Sequence, residues 1–103
     1  MRQLDPRNLR SLTRAMPKAE LHLHLDGSLR ADTALDIART RRVEAPATYD
    51  AMRKVLVVPE QVGDQAELLR AFDLPIALLQ DAEALERVAG DLVVDKACDN
   101  VRY

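Results

Sequence analysis

Two histidines, His22 and His24, stand two residues apart in the stretch AELHLHLDGSL (Ala19 to Leu29), and an acid and a glycine, Asp26 and Gly27, follow at once. On a strand, residues i and i+2 share a face, so the two imidazoles point one way while Leu21, Leu23 and Leu25 point the other. Two neutral imidazoles converging on one point make half of a metal site. Zinc and its first-row relatives take histidine nitrogen at ~2.0–2.1 Å, and a catalytic site generally has three protein ligands with one position left for water. The sequence has only these two histidines, so further ligands have to be carboxylates or residues outside it. Taken alone, the pair also fits the polar face of a surface strand, and Asp26 also reads as a turn acid or a helix cap.

The elements that must hold this pair are legible from local pattern. Asp5 followed by Pro6 is a helix cap with proline at the first helical position, and Leu9 and Leu12 then share a face, so a helix is predicted over 6–15, stopped by Pro17. Strict alternation from Ala19 to Leu25 predicts a strand over 19–25. Asp26, Gly27 and Ser28 supply turn chemistry, and a helix is expected over 31–42 with Ala34, Ile37 and Ala38 on one side. The histidines thus lie near the C-terminal end of a strand that leads into a helix, which is where barrels of alternating strands and helices place catalytic groups.

Further on, Ala51 to Leu56 is expected to make one or two helical turns before Pro59. A longer helix is predicted over 64–80, with Leu68, Phe72, Ile76 and Leu79 at helical spacing and Pro75 bending or splitting it. The clearest helix runs over 82–98, where Leu85, Val88, Ala89, Leu92 and Val93 recur every three or four residues. Asp81 and Glu83 lie at its start and Lys96 near its end, as the helix dipole favours. Cys98 falls in this apolar pattern and is expected to be buried and inert. The closing residues Val101 to Tyr103 look like the opening of a second strand. Parallel strands joined by helical crossovers are the natural reading, so the fold class is α/β.

Composition narrows the function. Fifteen Lys and Arg against 17 Asp and Glu give a net charge of −2, and the charges interleave without forming blocks. With a pI near 5.6, two Tyr, one Phe and no Trp, the chain does not look like a nucleic-acid binder, which would more often be basic with stacking aromatics. No apolar run approaches the ~20 residues that span a bilayer, so no membrane partner is expected. The N-terminal stretch is Arg-rich but lacks the apolar core of a secretory signal, and it reads as mature protein. A single cysteine forms no internal disulfide and fits a reducing compartment, so a cytoplasmic location is expected.

The segment MPKAELHLHLDGSLRADT resembles the opening strand of the adenosine deaminase family, within the amidohydrolase superfamily of metal-dependent hydrolases. The pattern PK-x-ELH-x-HLDG is met at every fixed position between Pro17 and Leu29. Two looser likenesses follow, LLRAFDLPIALLQDAEALERVA around a Phe-Asp pair and DNVRY at the second barrel strand, so the resemblance spans nearly the whole chain. It implies the N-terminal part of a TIM-type (β/α)8 barrel, reaching only the start of the second strand. It implies one catalytic Zn2+ per full-length subunit, ligated by His22 and His24. It also implies a small-molecule purine nucleoside substrate: Asp26 contacts the ribose, Gly27 permits close approach, and Leu68, Leu69 and Phe72 cover the purine. From the residues alone, that apolar stripe is equally plain helix core.

The reaction so implied is hydrolytic deamination of adenosine or a close analogue, with zinc lowering the pKa of bound water to near 7. Adenine or another purine derivative is the alternative substrate, and a non-catalytic truncated product the alternative fate. A further histidine and an aspartate for the metal, a histidine beside the water and a catalytic glutamate are expected of the family. None is located in this chain, so no catalytic residue is assigned here. A barrel of this type takes ~250 residues. The 103 residues are therefore expected to be the N-terminal segment of one incomplete domain, inactive alone, weak in metal affinity and poorly soluble, with oligomeric state open. The other class of zinc deaminase, with a His-x-Glu and a Pro-Cys-x-x-Cys motif, is excluded because the sequence has neither.

Overall fold

A computed structural model describes residues 5–103. Among these, six helices follow one another: α1 (Pro6–Ala15), α2 (Ala31–Arg41), α3 (Tyr49–Leu56), α4 (Gln65–Arg70), α5 (Asp73–Leu78) and α6 (Ala82–Cys98), with a short 3-10 turn over Asp26–Ser28. Helix α1 starts where its cap dictates. The Asp5 carboxylate accepts from the Arg7 N–H at 2.9 Å, and Pro6 occupies the first position, where a missing N–H costs nothing. Its far end is closed from outside. The Lys18 ammonium donates to the carbonyls of Thr13 (2.5 Å) and Met16 (3.0 Å), and the Asn100 amide donates to that of Ala15 (2.7 Å). A helix end leaves such carbonyls without partners, and a cation suits the negative end of the dipole.

Asn100 takes φ 60°, in the left-handed region, and turns the chain out of α6 while Val101 N–H donates back to the Lys96 carbonyl at 2.9 Å. That turn lays Val101 beside Lys18 in a parallel bridge: Lys18 N–H donates to Asn100 O at 3.0 Å and Arg102 N–H to Lys18 O at 2.8 Å. The strand predicted over 19–25 does not form; residues 19–24 have no regular secondary structure. Ladder pairing makes a strand, and the backbone alongside extends only from Asn100 to Tyr103, whose carbonyl accepts from Glu20 N–H at 2.7 Å. Among the described residues no such pairing continues past Glu20, and Leu21 is 91% exposed.

The core gathers around α2. Ala31, Ala34, Ile37 and Ala38 are buried on one side of it, and Met52 of α3, Leu78 of α5, and Ala84 and Val88 of α6 complete the cluster with Leu29. The small alanines let neighbouring helices approach closely. Helix α6 runs antiparallel to α2, and ion pairs along their seam fix the register. Arg30 meets Asp91 and Asp95, Asp36 meets Arg87, and Arg41 meets Asp81 and Glu83. Buried Thr33 joins the same seam by donating its hydroxyl to Asp91 at 2.5 Å.

The helix predicted over 64–80 is two. Asp64 caps α4 by accepting from Glu67 N–H at 2.8 Å, the chain breaks at Ala71 and Phe72, and α5 resumes with Pro75 in its first turn. Pro75 has no N–H to donate to Ala71, and its ring would crowd that carbonyl in a continuous helix, so the break falls one turn before the proline. Cys98, expected to be buried, is exposed at the last turn of α6.

Candidate metal centre

His22 and His24 bring their Nε2 atoms to 3.2 Å of each other, with ring centroids 5.2 Å apart and planes tilted by 48°. Two histidine nitrogens ~2.0–2.1 Å from one tetrahedral ion lie about 3.3 Å apart, so this spacing is the bite a zinc-like ion requires. The same separation also suits an N–H···N bond between neutral rings. Both histidines are exposed. Among the described residues no group of three or more His, Cys, Asp or Glu side chains is gathered to hold a metal ion, so the pair supplies two donors.

Several contacts position the pair. The Ser28 hydroxyl donates to the His24 carbonyl at 2.6 Å, and Ser28 N–H donates to Leu25 O at 3.1 Å, closing the 3-10 turn directly after the histidines. The His24 ring lies against Phe72, with centroids 5.8 Å apart and an interplanar angle of 52°. The Asp26 carboxylate stands 3.8 Å from His24 Nδ1, beyond hydrogen-bond reach. On the N-terminal side, Lys96 of α6 donates to the Glu20 carboxylate at 2.5 Å. That hydrogen bond holds the Glu20 carboxyl below its ordinary value, against the opposing effect of burial.

A cleft of about 350 Å³ opens beside the pair, lined by His24, Asp26, Leu69, Phe72 and Ile76. A second hollow of about 300 Å³ shares Asp26 and Ile76 with it and adds Leu25, Leu79, Gln80 and Leu85. Four of the seven residues singled out from sequence thus stand together here: His24, Asp26, Leu69 and Phe72. Gly27 adjoins them, since a Cβ built on it would lie 3.5 Å from His24 Cβ and 3.6 Å from the Phe72 ring. His22 reaches the group through His24 and is not in the cleft lining. Leu68 is absent from the cleft lining while Leu69 of the same helix is in it, and both leucines are largely exposed, at 40% and 55%. Ile76 is the residue sequence reasoning missed as a site residue. Its signal was its place four residues after Phe72, one helical turn along the same stripe.

The adenosine deaminase family model matches residues 17–103, which takes in the histidine pair, the acid and glycine after it, and the whole cleft. The chain belongs to the adenosine deaminase family. Among curated members, the adenosine deaminase of Vibrio atlanticus (strain LGP32) is 44% identical over 89 residues, which is 86% of this chain and 27% of that protein. The adenosine deaminase of Clostridium perfringens is 45% identical over 89 residues (85% and 27%), and that of Shewanella woodyi 37% over 90 residues (86% and 27%). The chain therefore spans about a quarter of the length of the adenosine deaminases it matches. No solved structure matches it. Among the described residues no helix is long and apolar enough to cross a membrane.

Proposed function

We propose that these residues form the first part of a metal-dependent purine nucleoside deaminase that hydrolyses adenosine, or a close analogue, to inosine and ammonia. The observation that carries the reading is the 3.2 Å approach of the two Nε2 atoms at the rim of an apolar cleft. His22 and His24 would hold a zinc ion through those atoms, and the remaining ligands would come from residues outside this chain. A bound zinc ion supplies an acidified water for attack on the carbon that bears the amine.

The chain's own residues bind and orient the substrate. Leu69, Phe72 and Ile76 cover the purine and exclude bulk water from its face. Asp26 accepts a hydrogen bond from a sugar hydroxyl at the mouth of the cleft. Gly27 leaves room for the ligand to approach the backbone beside His24. Barrels of alternating strands and helices build their sites at the strand ends that lead into helices, which supports a site at the two histidines, directly before the turn over Asp26–Ser28 and helix α2.

The test is direct. The full-length protein, loaded with zinc, is expected to release ammonia from adenosine and much more slowly from adenine, which lacks the sugar that Asp26 would bind. Turnover of adenine or another purine amine with none of adenosine contradicts the nucleoside assignment.

A further inference from the structure

We infer that Glu20, clamped by Lys96, is a positioning residue that sets the aim of the His22 imidazole toward its partner. The inference rests on the metal reading above and names a part of the site that reading does not use. Among the described residues the chain from Glu20 to His24 has no ladder of its own, since backbone pairing stops at the Glu20 N–H. A segment so lightly tied needs other fastenings to hold two rings within 3.2 Å.

Two are present, one on each side of the pair. After it, Ser28 holds the His24 carbonyl at 2.6 Å. Before it, Glu20 is held twice, by its N–H to the Tyr103 carbonyl at 2.7 Å and by its carboxylate to Lys96 at 2.5 Å. Lys96 is itself well seated, since its carbonyl accepts from Val101 N–H where α6 turns into the bridge with Lys18. Glu20 and Lys96 lie 76 positions apart and are each about two-thirds buried at the side chain. Glu20 belongs to no ligand cluster, so its effect on a metal runs through the backbone it anchors. Partners outside the ligand set typically change metal affinity 10–100-fold when removed.

The experiment uses the full-length protein with zinc and, for spectroscopy, cobalt(II). Glu20→Gln and Lys96→Met are expected to weaken metal affinity about tenfold, speed metal loss to a chelator and alter the cobalt absorption spectrum, with KM for adenosine little changed. The exchanged pair Glu20→Lys with Lys96→Glu is expected to recover most of the affinity. Affinity and spectrum matching the unaltered protein in Glu20→Gln or Lys96→Met overturn the inference, even where the melting temperature falls, because a purely structural clamp moves only the latter. His24→Ala is measured alongside. If it binds metal normally, the metal reading fails and the inference with it; if it loses metal while Glu20→Gln does not, only the inference fails.

Discussion

Replacing Gly27 with alanine separates what the fold needs from what a ligand needs. The glycine has no positive φ, so an L side chain meets no backbone strain there. A new Cβ would lie 3.5 Å from His24 Cβ and 3.6 and 4.0 Å from two Phe72 ring carbons, all ordinary van der Waals distances. At ~0.1–0.2 kcal/mol per carbon pair these three contacts contribute about 0.4 kcal/mol. Restricting the unfolded chain adds roughly 0.4–1 kcal/mol in the same direction. Urea titration of Gly27→Ala is therefore expected to show stability raised by about 0.8–1.4 kcal/mol. If a nucleoside approaches the backbone here, however, the methyl displaces it, and a misplacement of about 1 Å costs on the order of a hundredfold in rate. Steady-state kinetics of the full-length protein on adenosine should show kcat/KM falling ten- to a hundredfold while the folded state is intact. A clear loss of stability would refute the backbone argument. Unchanged kinetics in a stable variant would remove Gly27 from the binding surface.

Other outcomes follow from the packing and the charges. Met52 has no exposed surface, so Met52→Ala is expected to cost about 2–5 kcal/mol in a denaturant titration, whereas Val93→Ala, at a position 67% exposed, should stay within about 0.5 kcal/mol. Leu69→Ala should raise KM for adenosine several-fold while Leu68→Ala should not, because only Leu69 lines the cleft; equal effects would contradict the placement. Hydrogen bonds from Arg87, Arg41 and Arg30 hold the carboxyls of Asp36, Asp81 and Asp95 below their ordinary value of 3.8. Folded values below the unfolded one mean that the unfolded chain takes up these protons first as pH falls. Their stabilisation is then complete above pH 4 and lost below it, so helicity in mild urea should be level down to about pH 4.5 on their account and decline beneath 3.8. Changing all three to asparagine should flatten that decline, and an unchanged slope would assign it elsewhere.

What could be read from the sequence was what neighbours in the chain decide. The Asp5–Pro6 cap and the Asp81 cap that accepts from Ala84 N–H at 2.8 Å both depend on residues within a few positions of one another. The break of the 64–80 helix was half legible, since Pro75 announced an interruption but only its clash with the turn before it sets the place. The remainder depends on distant partners. Whether 19–25 forms a strand turns on backbone brought alongside from elsewhere, and the alternation of side chains cannot supply it. Leu68 and Leu69 have the same apolar character, and only the docking of α4 decides which of them borders the cleft. Cys98 is exposed at the end of α6 although it falls in an apolar pattern, and the clamp between Glu20 and Lys96 joins residues no local pattern connects.

A metal centre here requires the two imidazoles to share one ion. Elemental analysis of the purified full-length protein, unaltered and with His22→Ala or His24→Ala, measures this most directly. One zinc per subunit is expected in the unaltered protein and much less than one in either variant, because each ring supplies a bond to the metal. Zinc at the unaltered level in either variant would contradict the assignment.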